Sequence, residues 1–315
     1  MNKIHINKIT EINKDKLTNF YTKAFNFQKS VLENYEWRYR SGFSNYESLA
    51  LTVDNQIFGH AGLIPVKIKV NKKVETAIWY TDFFISPTYR SKGYGKLLTE
   101  AWMKICPTQI TLCNNDSLRI FKKFNWSYNN NFVRKIKFYN YHKILPILRK
   151  SRQFEISSDS LGELKLEEQN FKTIKNISLI EHKNLTKKIV GIVRDESWFK
   201  WRILDCPYKK NIFIFSYKNN YFIINVKTKN NLKILNLIYS TLSVDDEVLK
   251  LFNPFVKRNS IDYLSYISRE KNVSLNMPWK KKINFAFFSN EKFIMDEVDN
   301  HLDDLQFIDS DIDYL

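Results

Sequence analysis

Residues 81–98, TDFFISPTYRSKGYGKLL, constrain this chain more than any other stretch. Only 7 of its 315 residues are glycine, and two of them, Gly93 and Gly95, fall here one residue apart. An alternating apolar run leads in and a run with helical spacing leads out, so the stretch reads as strand, tight loop, helix. Such a junction aims several backbone N–H groups at one spot, and the helix N-terminus adds partial positive charge. Glycine lets the backbone take positive φ and approach an anion closely. Arg90, Lys92 and Lys96 add formal charge, and Ser91 and Tyr94 complete the loop. The chemistry is that of a pyrophosphate cradle. The spacing fits neither G-x-x-x-x-G-K-[ST] nor G-x-G-x-x-G.

The surrounding pattern predicts an α/β layer with a mixed sheet. Residues 13–25 have helical spacing; 47–55, 56–70 and 74–86 read as strands, with a turn at the NKK between the last two. A helix over 94–105, a strand over 108–114, a helix over 116–124 and a strand over 132–139 follow. Periodicity fades around Pro146, which predicts two domains, 1–150 and 151–315. In the second, 211–240 reads as three strands joined by Asn- and Lys-rich turns. A helix over 243–258 with a Ser243 cap and a strand over 283–289 come next, and 303–315 closes the chain. EWRYR (36–40) and WFKWRILDCPYKK (198–210) each precede a strand meander, as expected of two related units.

A hydrophobic fraction of 43% supports a core in each half. The formal charge of +17 favours anionic partners, although Lys and Asn are abundant along the whole chain. No run is long and apolar enough to span a membrane, and MNKIHINKIT lacks the h-region of a secretory signal. Cys106, Cys113 and Cys206 are scattered, without C-x-x-C spacing, and read as reduced core thiols of a cytoplasmic protein. No metal site is expected.

The loop resembles the acyl-coenzyme A signature of the GCN5-related N-acetyltransferase (GNAT) superfamily. Ile85, Pro87, Arg90, Gly93 and Gly95 match its apolar-x-Pro-x-x-Arg-x-x-Gly-x-Gly pattern, and the flanking elements match in order over roughly residues 5–140. NNDSLRIFKKFNW (114–126) resembles the family's next element through Asn114 and Ser117, with Asn125 in place of its usual Gly. The resemblance implies that acyl-coenzyme A lies against the fourth strand, with its pyrophosphate on the loop. Backbone N–H groups near Phe84 and Ile85 would hold the pantetheine and polarise the thioester carbonyl. An amine would attack directly in a ternary complex. The second half lacks the loop signature and is expected to be a degenerate GNAT-like domain that shapes the acceptor site.

Period 2 on the fourth strand places Tyr80 and Asp82 on one face. Asp82 is a charge in an otherwise apolar strand, costly unless paired or in a cleft. It is read as a general base or, equally, as a hydrogen-bonded aspartate bridging a bulge. His60 on the neighbouring strand is the second candidate base, or a satisfied core histidine. Many relatives place an acidic Tyr where this chain has Phe121, which cannot donate a proton; Tyr128 is the alternative. Trp37, Arg38, Tyr80, Trp201 and Arg202 are candidate acceptor contacts, or packing residues. Asp309, Asp311 and Asp313 read as a solvated acidic end or an amine site.

The layout is similar to bacterial acyltransferases of surface-polysaccharide pathways, which implies an acceptor amine on a nucleotide-linked deoxyaminosugar. Two further readings stand beside it. One is a peptidoglycan-type aminoacyl transferase using aminoacyl-tRNA, which +17 would suit. The other is a non-catalytic acyl-coenzyme A-binding protein.

Overall fold

The computed structural model describes residues 3–24, 34–40, 43–143, 172–173, 190–207, 209–229, 231–269, 279–302 and 305. The chain divides into two compact units. The first is drawn from Met1–Asn129 together with Asn284–Leu302, and the second from Asn130–Ile283 together with Asp303–Leu315. The first unit thus ends well before the boundary expected near 150, and it takes back a C-terminal segment expected to belong to the second. Position 150 itself and Asp309, Asp311 and Asp313 lie outside the described residues.

The first unit contains β1 (Ile4–Lys8), α1 (Lys14–Ala24), α2 (Tyr35–Arg38), β2 (Leu49–Val53), β3 (Gln56–Val70), β4 (Lys73–Ile85), α3 (Tyr94–Met103), β5 (Thr108–Cys113) and α4 (Asn115–Lys123). The next strand, β6 (Ser127–Phe138), starts five residues before the expected 132 and runs on into the second unit. β1 to β4 form an antiparallel run in the order β1-β2-β3-β4, and β5 is parallel to β4. The β2–β3 hairpin turns on Asp54 and Asn55, both with positive φ (47° and 62°), as a tight hairpin loop requires. β3 is buried along most of its length, with a strand on each side and α1 and α3 packed against it. Asn114 caps α4 through its Oδ1, which accepts from the Ser117 N–H at 2.8 Å.

The second unit contains β7 (Lys172–Thr173), β8 (Val190–Ile192), α5 (Glu196–Phe199), which runs into a π-helical turn at Lys200–Leu204, and β9 (Ile212–Tyr217). β10 (Asn220–Lys229), β11 (Leu232–Ser240), α6 (Asp246–Leu251), α7 (Asn253–Arg258) and β12 (Tyr263–Arg269) follow. The expected single helix over 243–258 is two helices. Pro254 cannot donate an N–H to a continuous helix, so it starts α7 instead. The cap of α6 is Asp245, whose Oδ1 accepts from the Val248 N–H at 2.9 Å; the expected Ser243 does not take that place.

The two units share one plan. In each, three antiparallel strands (β2-β3-β4; β9-β10-β11) lead into helix and then a strand parallel to the third (β5; β12). Each plan is completed by an antiparallel strand from elsewhere in the chain. β13 (Trp279–Ser289) pairs with β5 through Asn284–Ser289, and β6 pairs with β12. α8 (Lys292–His301) follows β13. β1, β12 and α8 are elements not assigned from the sequence.

The first unit's core gathers Tyr80, Leu98, Trp102, Phe121 and Trp126. Tyr80 stacks on Trp102 at 4.0 Å between ring centroids, and Phe121 sits 4.6 Å from Trp126. The second unit's core packs Phe222, Leu235, Leu249, Phe252 and Leu264 on one face of its sheet. Trp102 is fully buried, and truncating a core Trp to Ala removes about 3–5 kcal/mol.

Candidate active site

β4 and β5 pair over only two residue couples, Ile78–Gln109 and Trp79–Ile110. Beyond them the Thr111 hydroxyl donates to the Tyr80 carbonyl at 2.7 Å, and the strands part. The gap opens between the last residues of β4 and the end of β5. The Ser86 N–H bonds the Phe58 carbonyl at 2.7 Å, and Ile85 lies opposite Gly59. In an antiparallel ladder that makes Ile85 a non-hydrogen-bonded residue whose N–H and C=O point away from β3, into the gap. Phe84 is opposite His60 and alternates with Ile85, so its N–H faces β3. Of the two amides expected to serve the pantetheine, the Ile85 amide faces the gap and the Phe84 amide does not.

The loop after β4 holds the residues expected to form the cradle. Leu97 N–H is the first to bond within α3, to the Gly93 carbonyl at 3.0 Å. The N–H groups of Tyr94, Gly95 and Lys96 therefore have no intrahelical acceptor, and Gly93, with φ of 84°, carries no side chain to cap them. A Cβ added at Gly95 would rest 3.6 Å from Phe83 Cζ, an ordinary contact. Among the described residues nothing requires glycine at 95; close approach of an anion to these amides would favour it. Arg90 Nε donates to the Ile85 carbonyl at 2.9 Å, tying the loop to the strand end. Lys92 lies over the Tyr89 ring, Lys96 approaches Glu100 at 3.7 Å, and Ser91 adopts positive φ (61°). The end of β5, with Asn114 and Ser117, forms the other lip, where the Asn114 oxygen is spent on the helix cap. The residues present fit a pyrophosphate.

Asp82 sits at a bulge. β3 and β4 pair Gly62 with Thr81 and then His60 with Phe84, so β4 carries an extra residue there. Asp82 takes φ of 47°, in the left-handed region that Asp tolerates better than most residues. The bulge breaks the period-2 expectation. Tyr80 turns into the α3 side of the core against Trp102, while Asp82 meets α2. Arg38 Nε and Nη2 donate to Asp82 Oδ2 and Oδ1 at 2.9 and 3.0 Å, and the Tyr39 hydroxyl donates to Oδ2 at 2.7 Å. Burial alone would raise the Asp82 carboxyl, but the Arg38 charge and the bonds from Arg38 and Tyr39 outweigh it. The net result is a pKa below the ordinary carboxylate value. Both oxygens are engaged, which is the arrangement of a hydrogen-bonded aspartate at a bulge.

His60 is fully buried. Its Nδ1 lies 2.8 Å from the Asp82 backbone carbonyl, which only accepts, so Nδ1 carries the proton. Nε2 then accepts from the Tyr21 hydroxyl at 2.6 Å. Burial pushes the imidazole down to about 4, although the Asp82 carbonyl and carboxylate both favour its charged form. The ring is neutral, and both its nitrogens are bonded. Tyr21 and Tyr39 are the residues that sequence reasoning missed. The adjacency of Tyr39 to the Trp37–Arg38 pair was the available signal, while nothing local marks Tyr21. Gly62 makes the arrangement possible, since a Cβ there would meet Tyr39 Cε1 at 2.5 Å.

Of the expected acceptor contacts, Tyr80 is core and Arg38 is committed to Asp82. Trp37 is half-buried beside Arg38. Trp201 and Arg202 lie buried in the second unit on the π-helical turn, with the guanidinium over the Trp201 ring at 5.1 Å. Phe121 is buried among aromatic rings, and Tyr128 is exposed beneath the Lys122 ammonium at 4.0 Å. Cys106 and Cys206 are buried and Cys113 half-buried; all three are free thiols, and burial pushes Cys113 up to about 12. Among the described residues no His, Cys, Asp and Glu cluster could hold a metal, and no helix is long and apolar enough to cross a membrane.

The second unit repeats the bulge and the splay but changes the loop. β10 and β11 slip register between Ile223 and Ile224, and β11 pairs with β12 over only three couples. Where the first unit has an uncapped, glycine-lined helix start, α6 begins with Asp245, Asp246 and Glu247, and Asp245 caps it. Carboxylates on those amides exclude an anion.

Residues 10–126 match the profile of the acetyltransferase (GNAT) family. The sequence matches none of the curated proteins with which it was compared. Among solved structures, an N-myristoyltransferase from Saccharomyces cerevisiae with bound myristoyl-CoA is similar over 91% of this chain and 83% of its own, at 11% identity and a TM-score of 0.57. A GCN5-related N-acetyltransferase from Kribbella flavida aligns over 90% and 71%, at 10% identity and a TM-score of 0.57. A probable N-acyltransferase of unknown function from Enterococcus faecalis aligns over 91% and 72%, at 12% identity and a TM-score of 0.56. At these identities the likeness is one of fold, and it extends over both units. The family match falls within the first unit.

Proposed function

We propose that this chain, an acyl-coenzyme A-dependent N-acyltransferase, acts on the amino group of a small anionic acceptor, with a nucleotide-linked deoxyaminosugar as the acceptor class. One observation carries the reading: the uncapped N-terminus of α3, with Gly93 in left-handed conformation and Gly95 open, stands at the mouth of the β4–β5 splay. Acyl-coenzyme A supplies an acyl group activated as a thioester. Tyr94, Gly95 and Lys96 amides with Lys92 hold its pyrophosphate. The Ile85 N–H, aimed into the gap, polarises the carbonyl to be attacked. Positioning supplies much of the rate.

Asp82 enters this reading as a positioning residue. Its carboxylate, clamped by Arg38 and Tyr39, and its carbonyl, held by His60, fix the bulge that directs Ile85. His60 supports the same bulge from within the core. Buried Phe121 supplies no proton to the leaving thiolate. The aminoacyl-tRNA reading has no use for an intact pyrophosphate cradle.

A free-thiol release assay tests the proposal. Acetyl- and longer acyl-coenzyme A are offered with a panel of nucleotide amino sugars, and thiol release with at least one pair is expected. No release with any pair, together with tight tRNA binding, would overturn it. Tight coenzyme A binding without any turnover would favour a binding protein instead.

A further inference from the structure

A cleft of about 460 Å³ opens on the α1 side of the first unit, outside the pyrophosphate cradle. Lys16, Asn19, Phe20 and Lys23 line it from α1, and Phe84 and Ser86 from the end of β4. Positions 16, 19, 20 and 23 fall on one helix face. A helix face turned toward the protein is normally an apolar stripe. Here an aromatic floor is flanked by two cations, with Phe20 edge-on to Phe84 at 5.7 Å. Lys16 and Lys23 stand roughly 10 Å apart along the axis. Neither ammonium has a carboxylate partner among the described residues, and no Asp or Glu is among those lining the cleft. Asn55 and Gln56 on the hairpin rim and Asn19 offer neutral donors. The volume suits a small organic ligand. Phe84 directly precedes Ile85, whose amide faces the splay, so a ligand on this floor lies one residue from the acyl-transfer position.

We propose that this cleft is the acceptor pocket and takes the phosphate-bearing part of the acceptor, with phosphates between Lys16 and Lys23 and a planar ring on Phe20 and Phe84. The proposal rests on the acyltransferase reading, since it places an acceptor beside the acyl group. Paired cations with no competing carboxylate match a diphosphate.

Calorimetric titration of uridine diphosphate, and separately of inorganic pyrophosphate, into the full chain saturated with coenzyme A tests it. Saturation fills the cradle and leaves the cleft as the site under test. Both probes are expected to bind, and Lys16→Glu with Lys23→Glu is expected to weaken both by at least about tenfold. Coenzyme A affinity should not change, which also shows that the variant is folded. Phe84→Ala should weaken uridine diphosphate and spare pyrophosphate, separating a ring-bearing ligand from free phosphate. The proposal is overturned if saturated protein binds neither probe, if coenzyme A displaces them, or if the double variant binds them as tightly as the parent. Equal loss of both probes, or of neither, in Phe84→Ala overturns the aromatic floor. Failure of the underlying reading registers separately, as absence of coenzyme A binding to the parent chain.

Discussion

Arg38 and Asp82 form a two-pronged ion pair, Nε to Oδ2 at 2.9 Å and Nη2 to Oδ1 at 3.0 Å, with side chains only 7% and 10% exposed. Removing one member strands the other charge in the interior. Arg38→Met should therefore cost about 3–5 kcal/mol in urea unfolding. Arg38→Met with Asp82→Leu should recover much of that, because a buried pair replaced by apolar groups is often near neutral. The lowered Asp82 pKa means the pair is complete at neutral pH and is lost only as pH falls below the ordinary carboxylate range. Asp82→Asn separates positioning from proton transfer. A positioning role predicts lost turnover with lost stability and a raised KM for acyl-coenzyme A. A drop in kcat alone, by ~100-fold in a fully stable variant, would make Asp82 the base.

The two loop glycines should behave in opposite ways. Gly93→Ala forces a Cβ into left-handed backbone and should cost about 1–2 kcal/mol. Gly95→Ala meets only an ordinary contact with Phe83 and should leave the unfolding midpoint unchanged or slightly higher. Both should raise the KM for acyl-coenzyme A. A Gly95→Ala enzyme with normal KM would mean that no ligand approaches that amide.

These glycines show how much the sequence disclosed. The strand–loop–helix junction at 81–98 was legible because its signal is local: alternation, then Gly at fixed spacing, then helical periodicity. The meander of 211–240 was legible for the same reason, and its turns hold Lys218 and Asn219 at positive φ (45° and 60°). What escaped is non-local. Period 2 put Asp82 beside Tyr80, but a bulge is set by how β4 pairs with β3, and one extra residue reversed the face. Arg38 looked like a ligand contact because its partner lies 44 residues away. Tyr21 reaches His60 across 39 residues with no local sign. The first unit's distant segment had no local sign either, because β13 joins β5 from the far end of the chain.

His60 gives the protein a defined pH dependence. Its folded value is about 4 and its ordinary value is 6.5. Between these the unfolded chain binds a proton that the folded chain refuses, so stability falls as pH drops from 6.5 to 4. The loss totals roughly 3 kcal/mol and levels off below 4. His60→Asn should be less stable at pH 7, having lost the Tyr21 bond, but its stability should change less across that window. Parallel urea titrations at several pH values measure the difference. Identical slopes in parent and variant would show that other groups carry the dependence.

Phe121 lies where many GNAT enzymes keep a proton-donating Tyr, and it is buried between Trp126 and Tyr80, at 4.6 and 5.7 Å between ring centroids. Restoring the hydroxyl is a direct test of whether this chain has lost a catalytic acid or never relied on one at this position. In Phe121→Tyr the added O–H enters an aromatic cluster where Trp126 already buries a ring N–H group without a partner. A hydroxyl is both donor and acceptor, and an unmade bond in such a place costs about 1–3 kcal/mol. The variant should therefore unfold at lower urea, with thiol release no faster than the parent and an unchanged alkaline limb in its pH–rate profile. A rate gain of tenfold or more, with a new limb near the tyrosine range, would show that the hydroxyl reaches the leaving sulfur. Phe121 would then be a lost acid at an intact site, not a core residue in an enzyme that releases the thiolate unaided.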